Sequence, residues 1–168
     1  EQILREVLLL SHLVENVLDV ARIQNRNAKA LAFTSVHPRD LINNLLATYD
    51  SWIRSRGFTC TLDLDESIGA QMWDRDAVSR ALLNLIDNAI KYSGEGTRVV
   101  VRGALNGNEI EIRVTDQGPG IEKKHLSRIF ERFYRVDQAR SRALGGTGLG
   151  LAIVKHIALA HRGSVSVE

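Results

Sequence analysis

Apolar residues recur in the first stretch at Ile3, Val7, Leu10, Val14, Val17 and Ala21, with spacings that alternate between four and three. That is a heptad seam, and it predicts one long helix. A second stripe, Leu9, Leu13, Val20 and Ile23, widens the apolar face. Such a helix is expected to pack against another helix, a second copy included, the alternative being an amphipathic helix lying on its own domain. Asn25 to Lys29 is polar and reads as a linker. The pattern then predicts a strand over Leu31–Val36 and a helix opened by Pro38 and stopped by Gly57. Phe58–Leu64 alternates cleanly and reads as a strand, and Met72-Trp73 as a short one. Asp74 or Asp76 is expected to cap a long helix ending near Ser93-Gly94. Strands are expected over Arg98–Ala104 and Glu109–Thr115, joined at Asn106-Gly107-Asn108, a hairpin signal. Beyond the turn Asp116–Gly120 come a short helix over Glu122–Phe130 and a loop over 137–148 rich in Gly, Ser and Arg, expected to be mobile. A helix over Leu149–His161 and a strand beginning at Ser164 complete the reading.

An antiparallel hairpin with helices between strands indicates an α+β chain, one mixed sheet covered by helices on one face. The composition agrees with a globular domain: 168 residues, 44% apolar and 25% charged, enough to bury a core without disulfides. The formal net charge of +2 is too even to make nucleic acid or an acidic membrane the expected partner. A single cysteine, Cys60, can form no internal disulfide and fits a reducing compartment. No run of 18 apolar residues occurs, which predicts no membrane-spanning segment within these residues.

Three polar groupings stand out. On the central helix, Asn84, Asn88 and Lys91 lie at i, i+4 and i+7 and share a face, with Leu82, Leu85, Ile86 and Ala89 left to the core. Two carboxamides and an ammonium on one stripe suit hydrated Mg²⁺ and phosphates; a solvated helix face is the plainer alternative. Asp116-Gln117-Gly118-Pro119-Gly120 follows a strand directly. Its carboxylate can face a ligand amino group while its glycines admit a planar ring close to the backbone, although a simple turn would look the same. Gly145-Gly146-Thr147-Gly148-Leu149-Gly150 opens the last helix, where backbone N–H groups and the helix dipole favour phosphate; alone it is equally a hinge. It lacks the Gly-Lys-Ser/Thr of a Walker loop and the third glycine of the dinucleotide fingerprint. Between them, Phe130–Asp137 carries two arginines able to neutralise phosphate.

In this order the four blocks resemble the ATP-binding domain of sensor histidine kinases of two-component systems. Asn84–Tyr92 resembles the N box, Asp116–Gly120 the first glycine box, Phe130–Asp137 the F box and Gly146–Gly150 the second glycine box. Leu9–Gln24 resembles the second helix of the preceding dimerisation domain. The resemblance implies a Bergerat-type α/β sandwich over residues 28–168, preceded by the second helix of a phosphoacceptor hairpin over 1–27. It implies ATP and Mg²⁺ as cofactors, with Asn88 as the metal ligand and Asn84 beside it. Lys91, Arg132 and Arg135 would meet phosphates, Tyr92 the adenine ring, and Asp116 its amino group. Gly118 and Gly120 would line the base, and Thr147, Gly148, Leu149 and Gly150 the phosphates. Asn84, Lys91 and Arg135 are the residues expected to act in transfer.

The family is phosphorylated on a histidine in a box resembling His-Glu-Leu-Arg-x-Pro, and none of His12, His37, His125, His156 or His161 has that context. The sequence therefore reads as a fragment starting after the acceptor helix, with its last strand truncated, and self-labelling is not expected. The implied partners are ATP or ADP, that acceptor helix, a response regulator receiver domain and a second copy in the parent, with neither nucleic acid nor direct membrane contact. The implied location is cytoplasmic, the parent being free to carry a membrane anchor. Two other readings compete. An ATP-hydrolysing clamp of the wider superfamily would carry Glu where Asn84 stands, because an amide cannot take a proton from water. A nucleotide-binding or dimerisation module without catalysis would not need the polar blocks intact.

Overall fold

The computed structural model describes residues 31–94, 96–107, 109–137 and 146–168. The helix expected before Asn25, and most of the loop expected over 137–148, lie outside them. The described residues fall into two compact units, Ala32–Gly120 and, with Leu31, Ile121–Glu168.

In the first unit, β1 (Phe33–Val36) pairs antiparallel with β3 (Gln71–Asp74). A second sheet runs in the order β2 (Thr59–Leu64), β4 (Arg98–Asn106), β5 (Glu109–Thr115), parallel then antiparallel. Two 18-residue helices, α1 (Pro38–Ser55) and α2 (Arg75–Tyr92), pack on the sheet and on each other. Pro38 pre-sets the first turn of α1, and Gly57, with φ +80°, carries the chain out of it. Asp74 is the N-cap of α2. One carboxylate oxygen accepts from the Ala77 N–H at 2.9 Å and the other from the Ala32 N–H at 2.8 Å, so one side chain fixes both the helix start and the strand edge. The hairpin closes between Asn106 and Glu109, with Gly107 at φ +63°.

Strand register sets which sheet face is buried. Leu62, Val101 and Val114 share one rung, as do Leu64, Gly103 and Ile112. Leu41, Ile42 and Ile53 of α1 and Leu82, Leu83, Ile86 and Ile90 of α2 are all buried. Each such side chain contributes roughly 1.5–3 kcal/mol of transfer free energy. A Cβ on Gly103 would overlap Leu64; the glycine is there for close packing. Among the intervening positions, Arg102 pairs with Asp63 at 3.3 Å and Arg113 with Glu111 at 2.7 Å.

The second unit contains α3 (Lys123–Leu126) and α4 (Gly150–Ala160). The helix expected over Glu122–Phe130 shortens to four residues. From His125 onward the backbone bonds are mostly three residues long, as at Arg128 N–H to His125 O and Glu131 N–H to Arg128 O. That is tight-turn geometry and not a continuing α-helix. The strand expected from Ser164 is absent as a paired element among the described residues. Val165 and Val167 do alternate in burial with Ser164, Ser166 and Glu168, but alternation without a hydrogen-bonded neighbour is only an extended segment.

Candidate functional site

The C-terminal half of α2 carries a polar face inside a largely apolar helix. Asn84 is 3% exposed and is the one buried polar residue among the described residues. A buried carboxamide needs hydrogen-bond partners to offset its desolvation, and no side-chain atom of Asn84 is left buried without one. Asn88, one turn on, is half-buried, and no hydrogen bond to its side chain occurs among the described residues. Lys91 is not a lone ammonium. Its Nζ donates to an Asp87 carboxylate oxygen at 2.6 Å, both side chains being mostly buried. The core positions of this helix are Leu82, Leu83, Ile86, Ala89 and Ile90; Leu85, expected among them, is only half-buried.

The segment after β5 folds back on the end of this helix. One oxygen of Asp116, Oδ1, accepts from the Gly118 N–H at 2.7 Å and from Ser93 Oγ at 3.3 Å. Its Oδ2 takes no hydrogen bond among the described residues and faces solvent. Gln117 secures the turn, its Oε1 accepting from the Arg98 N–H at 3.2 Å. Gly118 sits so close that a Cβ would lie 2.8 Å from Asp116 Oδ1 and 3.0 Å from the Tyr92 carbonyl oxygen. Gly120, at φ +75°, needs the left-handed conformation that glycine adopts freely. Tyr92, the last residue of α2, is 37% exposed. Asn84, Asn88, Lys91, Tyr92, Asp116 and Gly118 are thus gathered within one unit, around the end of α2 and the turn after β5.

In the second unit, Phe133 is an unusual residue. It holds φ +63° without being glycine, and its N–H donates to the Gly148 carbonyl at 2.8 Å. Gly148 is itself at φ +71°, and a Cβ there would lie 2.9 Å from the Phe133 backbone. The clasp draws the F-box segment to the start of α4. Thr147 Oγ1 accepts from the Leu149 N–H at 3.3 Å, and Leu149 is buried as the residue before the helix. The first-turn N–H groups of α4 have no acceptor within the helix, and its dipole places partial positive charge there. Tyr134 is held by α3 and the turn after it, its hydroxyl 2.6 Å from His125 Nδ1 and the Arg128 guanidinium 4.3 Å over its ring. Arg135 is half-buried, whereas Arg132 is exposed and lines a cleft beside α4.

Sequence reasoning missed Asp87, Ser93 and Gln117. Asp87 carried a readable signal, an acid four residues before a lysine on a helix. Ser93 and Gln117 carried none, because their contacts depend on tertiary pairing. No cluster of three or more His, Cys, Asp or Glu side chains occurs among the described residues. No described helix is long and apolar enough to cross a membrane.

Residues 73–168 match the HATPase_c family, described as histidine kinase-, DNA gyrase B-, and HSP90-like ATPase. The sensor-like histidine kinase SenX3 of Mycobacterium tuberculosis is 35% identical over 99% of this chain and 40% of its own length. Among solved structures, the mycobacterial sensor histidine kinase MprB is 32% identical over 82% of this chain and 85% of that one, with a TM-score of 0.69. Full-length ShkA in complex with AMPPNP is 28% identical over 94% of this chain and 33% of that one, with a TM-score of 0.77. The chain spans less than half the length of the SenX3 relatives it matches.

Proposed function

We propose, from the premise that this chain belongs to the family of histidine kinase-, DNA gyrase B- and HSP90-like ATPases, that it binds ATP with magnesium and presents the γ-phosphate to a histidine on a separate helix. The fold is that of a histidine kinase catalytic domain, and its relatives are sensor histidine kinases. The observation that carries the reading is the Asp116 carboxylate, braced through one oxygen and open at the other. An amino group on a planar base is a donor such an oxygen would accept from, and the adjacent glycine leaves the ring room to approach. Tyr92 would lie against the base, and Gly120 would shape the turn beneath it.

The residues of α2 fit a magnesium ion. A carboxamide oxygen at Asn88 is a hard donor, and magnesium takes few protein ligands while keeping waters and phosphate oxygens. Asn88 would hold it, with Asn84 beside it; when bound, the ion neutralises phosphate charge. Lys91, tethered by Asp87, would offer a positioned cation. Arg132 and Arg135 would supply further positive charge, and Thr147, Gly148, Leu149 and Gly150 would offer backbone N–H groups at the start of α4.

The reaction is phosphoryl transfer. An imidazole nitrogen of the acceptor forms the new bond to phosphorus as the bond to the ADP oxygen breaks, and the electron pair leaves with ADP. The protein's share is positioning and charge stabilisation. Asn84, an amide that cannot abstract a proton from water, favours transfer over hydrolysis. The phosphate would pass onward to a response regulator aspartate, the parent acting in the cytoplasm as a homodimer.

The test combines two measurements. Incubated alone with radiolabelled ATP, the chain stays unlabelled; with a separately made acceptor-helix domain of the parent, that domain gains acid-labile label. Asp116→Asn weakens ATP by about 1–3 kcal/mol, the cost of losing a charged hydrogen bond, and blurs discrimination between adenine and guanine nucleotides. Acid-labile label on this chain alone, or wild-type affinity in Asp116→Asn, defeats the reading.

A further inference from the structure

Charge is unevenly divided along the sequence. Residues 32–120 hold nine Lys and Arg against twelve Asp and Glu, whereas residues 121–168 hold nine against four. In the second unit two of these cations, Arg132 and Lys155, line an open cleft of about 170 Å³ beside α4. Its apolar lining comes from Phe130, Ala152, Ile153 and Leu159; its polar lining is Arg132, Lys155 and His156, with no carboxylate. Ala152, Lys155, His156 and Leu159 stand at i, i+3, i+4 and i+7, so they share one face of α4. Among the described residues, none of Arg132, Lys155 or His156 has an ion-pair partner, although Arg128 and Lys124 nearby in sequence are paired to Glu131 and Glu122. Leu159, the last residue of this row, is 59% exposed.

A small apolar cleft whose polar rim is Arg132, Lys155 and His156, without a carboxylate, fits one kind of occupant. The cleft is too small for a cofactor or drug-sized molecule, whose sites run to roughly 300–1,000 Å³. It accommodates one large apolar side chain, the kind of central anchor that dominates protein interfaces. Its rim calls for negative charge on either side of that anchor, which steers and orients a partner. We propose that this cleft is a docking notch for an acidic protein segment that inserts one phenylalanine or leucine between flanking carboxylates.

The probe is a fluorescein-labelled peptide with two glutamates on each side of a single phenylalanine, titrated into the whole chain and read by fluorescence anisotropy. Binding is expected to weaken as salt rises, because the rim charges are exposed and screened. Lys155→Glu is expected to weaken it at least about tenfold by juxtaposing like charges, and Leu159→Ser several-fold by removing the apolar floor. Replacing the peptide's phenylalanine by alanine should match the Leu159→Ser loss. Both variants retain wild-type MgADP affinity and circular dichroism, which separates a lost docking site from a lost fold or a lost nucleotide site. The proposal fails if the probe does not bind at about 1 mM peptide, if a lysine-flanked peptide binds as well, or if Lys155→Glu leaves binding unchanged. It fails too if MgADP displaces the peptide, since the cleft would then belong to the nucleotide.

Discussion

Gly118→Ala is the substitution that best separates the proposed base site from an ordinary turn. The added Cβ would stand 2.8 Å from Asp116 Oδ1 and 3.0 Å from the Tyr92 carbonyl oxygen. Carbon–oxygen contacts settle at about 3.3 Å or more, so these atoms must separate by a few tenths of an ångström. The Tyr92 oxygen is backbone at a helix end and yields little; the Asp116 carboxylate yields more easily. Gly118 has no positive φ, so alanine adds crowding without dihedral strain. Overpacking of this kind costs about 1–3 kcal/mol, and the stiffer unfolded chain returns about 0.4–1 kcal/mol. The net in urea denaturation is a loss of about 0–2.6 kcal/mol, centred near 1.3. If the strain is relieved by turning Asp116 away from the Gly118 N–H, MgADP affinity measured by calorimetry should fall about tenfold, since 1.4 kcal/mol is one decade. Gly94→Ala and Gly69→Ala are the controls. A Cβ at either meets nothing within 4 Å, and each should stay within about 0.5 kcal/mol of wild type. If Gly118→Ala behaves like those controls in both assays, the crowding argument is wrong and Asp116 does not hold the base.

Asn88→Ala should reduce ADP affinity in the presence of Mg²⁺ and leave it nearly unchanged with a chelator, both by calorimetry; equal losses would make Asn88 a structural residue. Gly148→Ala meets both the φ +71° conformation and a contact at 2.9 Å to Phe133. It should therefore speed hydrogen exchange at Phe133 and Leu149, and unchanged protection there would remove the clasp. Burial pushes the Cys60 thiol up to about 11 from an ordinary 9.0. Between those values the unfolded chain has released a proton that the folded chain keeps, so stability falls as pH rises from 9 toward 11, and Cys60→Ala should flatten that slope in urea titrations.

What was legible in the sequence was whatever is local. The helices of the first unit announced themselves by period, by Pro38 and by the cap at Asp74, and the hairpin by a glycine that must take positive φ. Each of those signals is a backbone preference operating within a few residues, and tertiary packing had no reason to overrule it. The second unit was less legible for the same reason reversed. Glu122–Phe130 has the composition of a helix, but its chain must end with Phe133 in a left-handed conformation bonded to Gly148, fifteen residues later. That demand is long-range, and it tightens the segment into turns. The site divides in the same way. Asn84, Asn88 and Lys91 could be placed on one face by counting residues, yet counting could not say that Asn84 would be buried while Lys91 was tied to Asp87. Nor could it say that Asp116 would spend one oxygen on its own turn and keep the other open. Asp65 also accepts through Oδ1 alone in its own turn; what singles out Asp116 is the Ser93 hydroxyl on the same oxygen and the Tyr92 carbonyl beside Gly118, contacts that arise only when the end of α2 and the end of β5 meet.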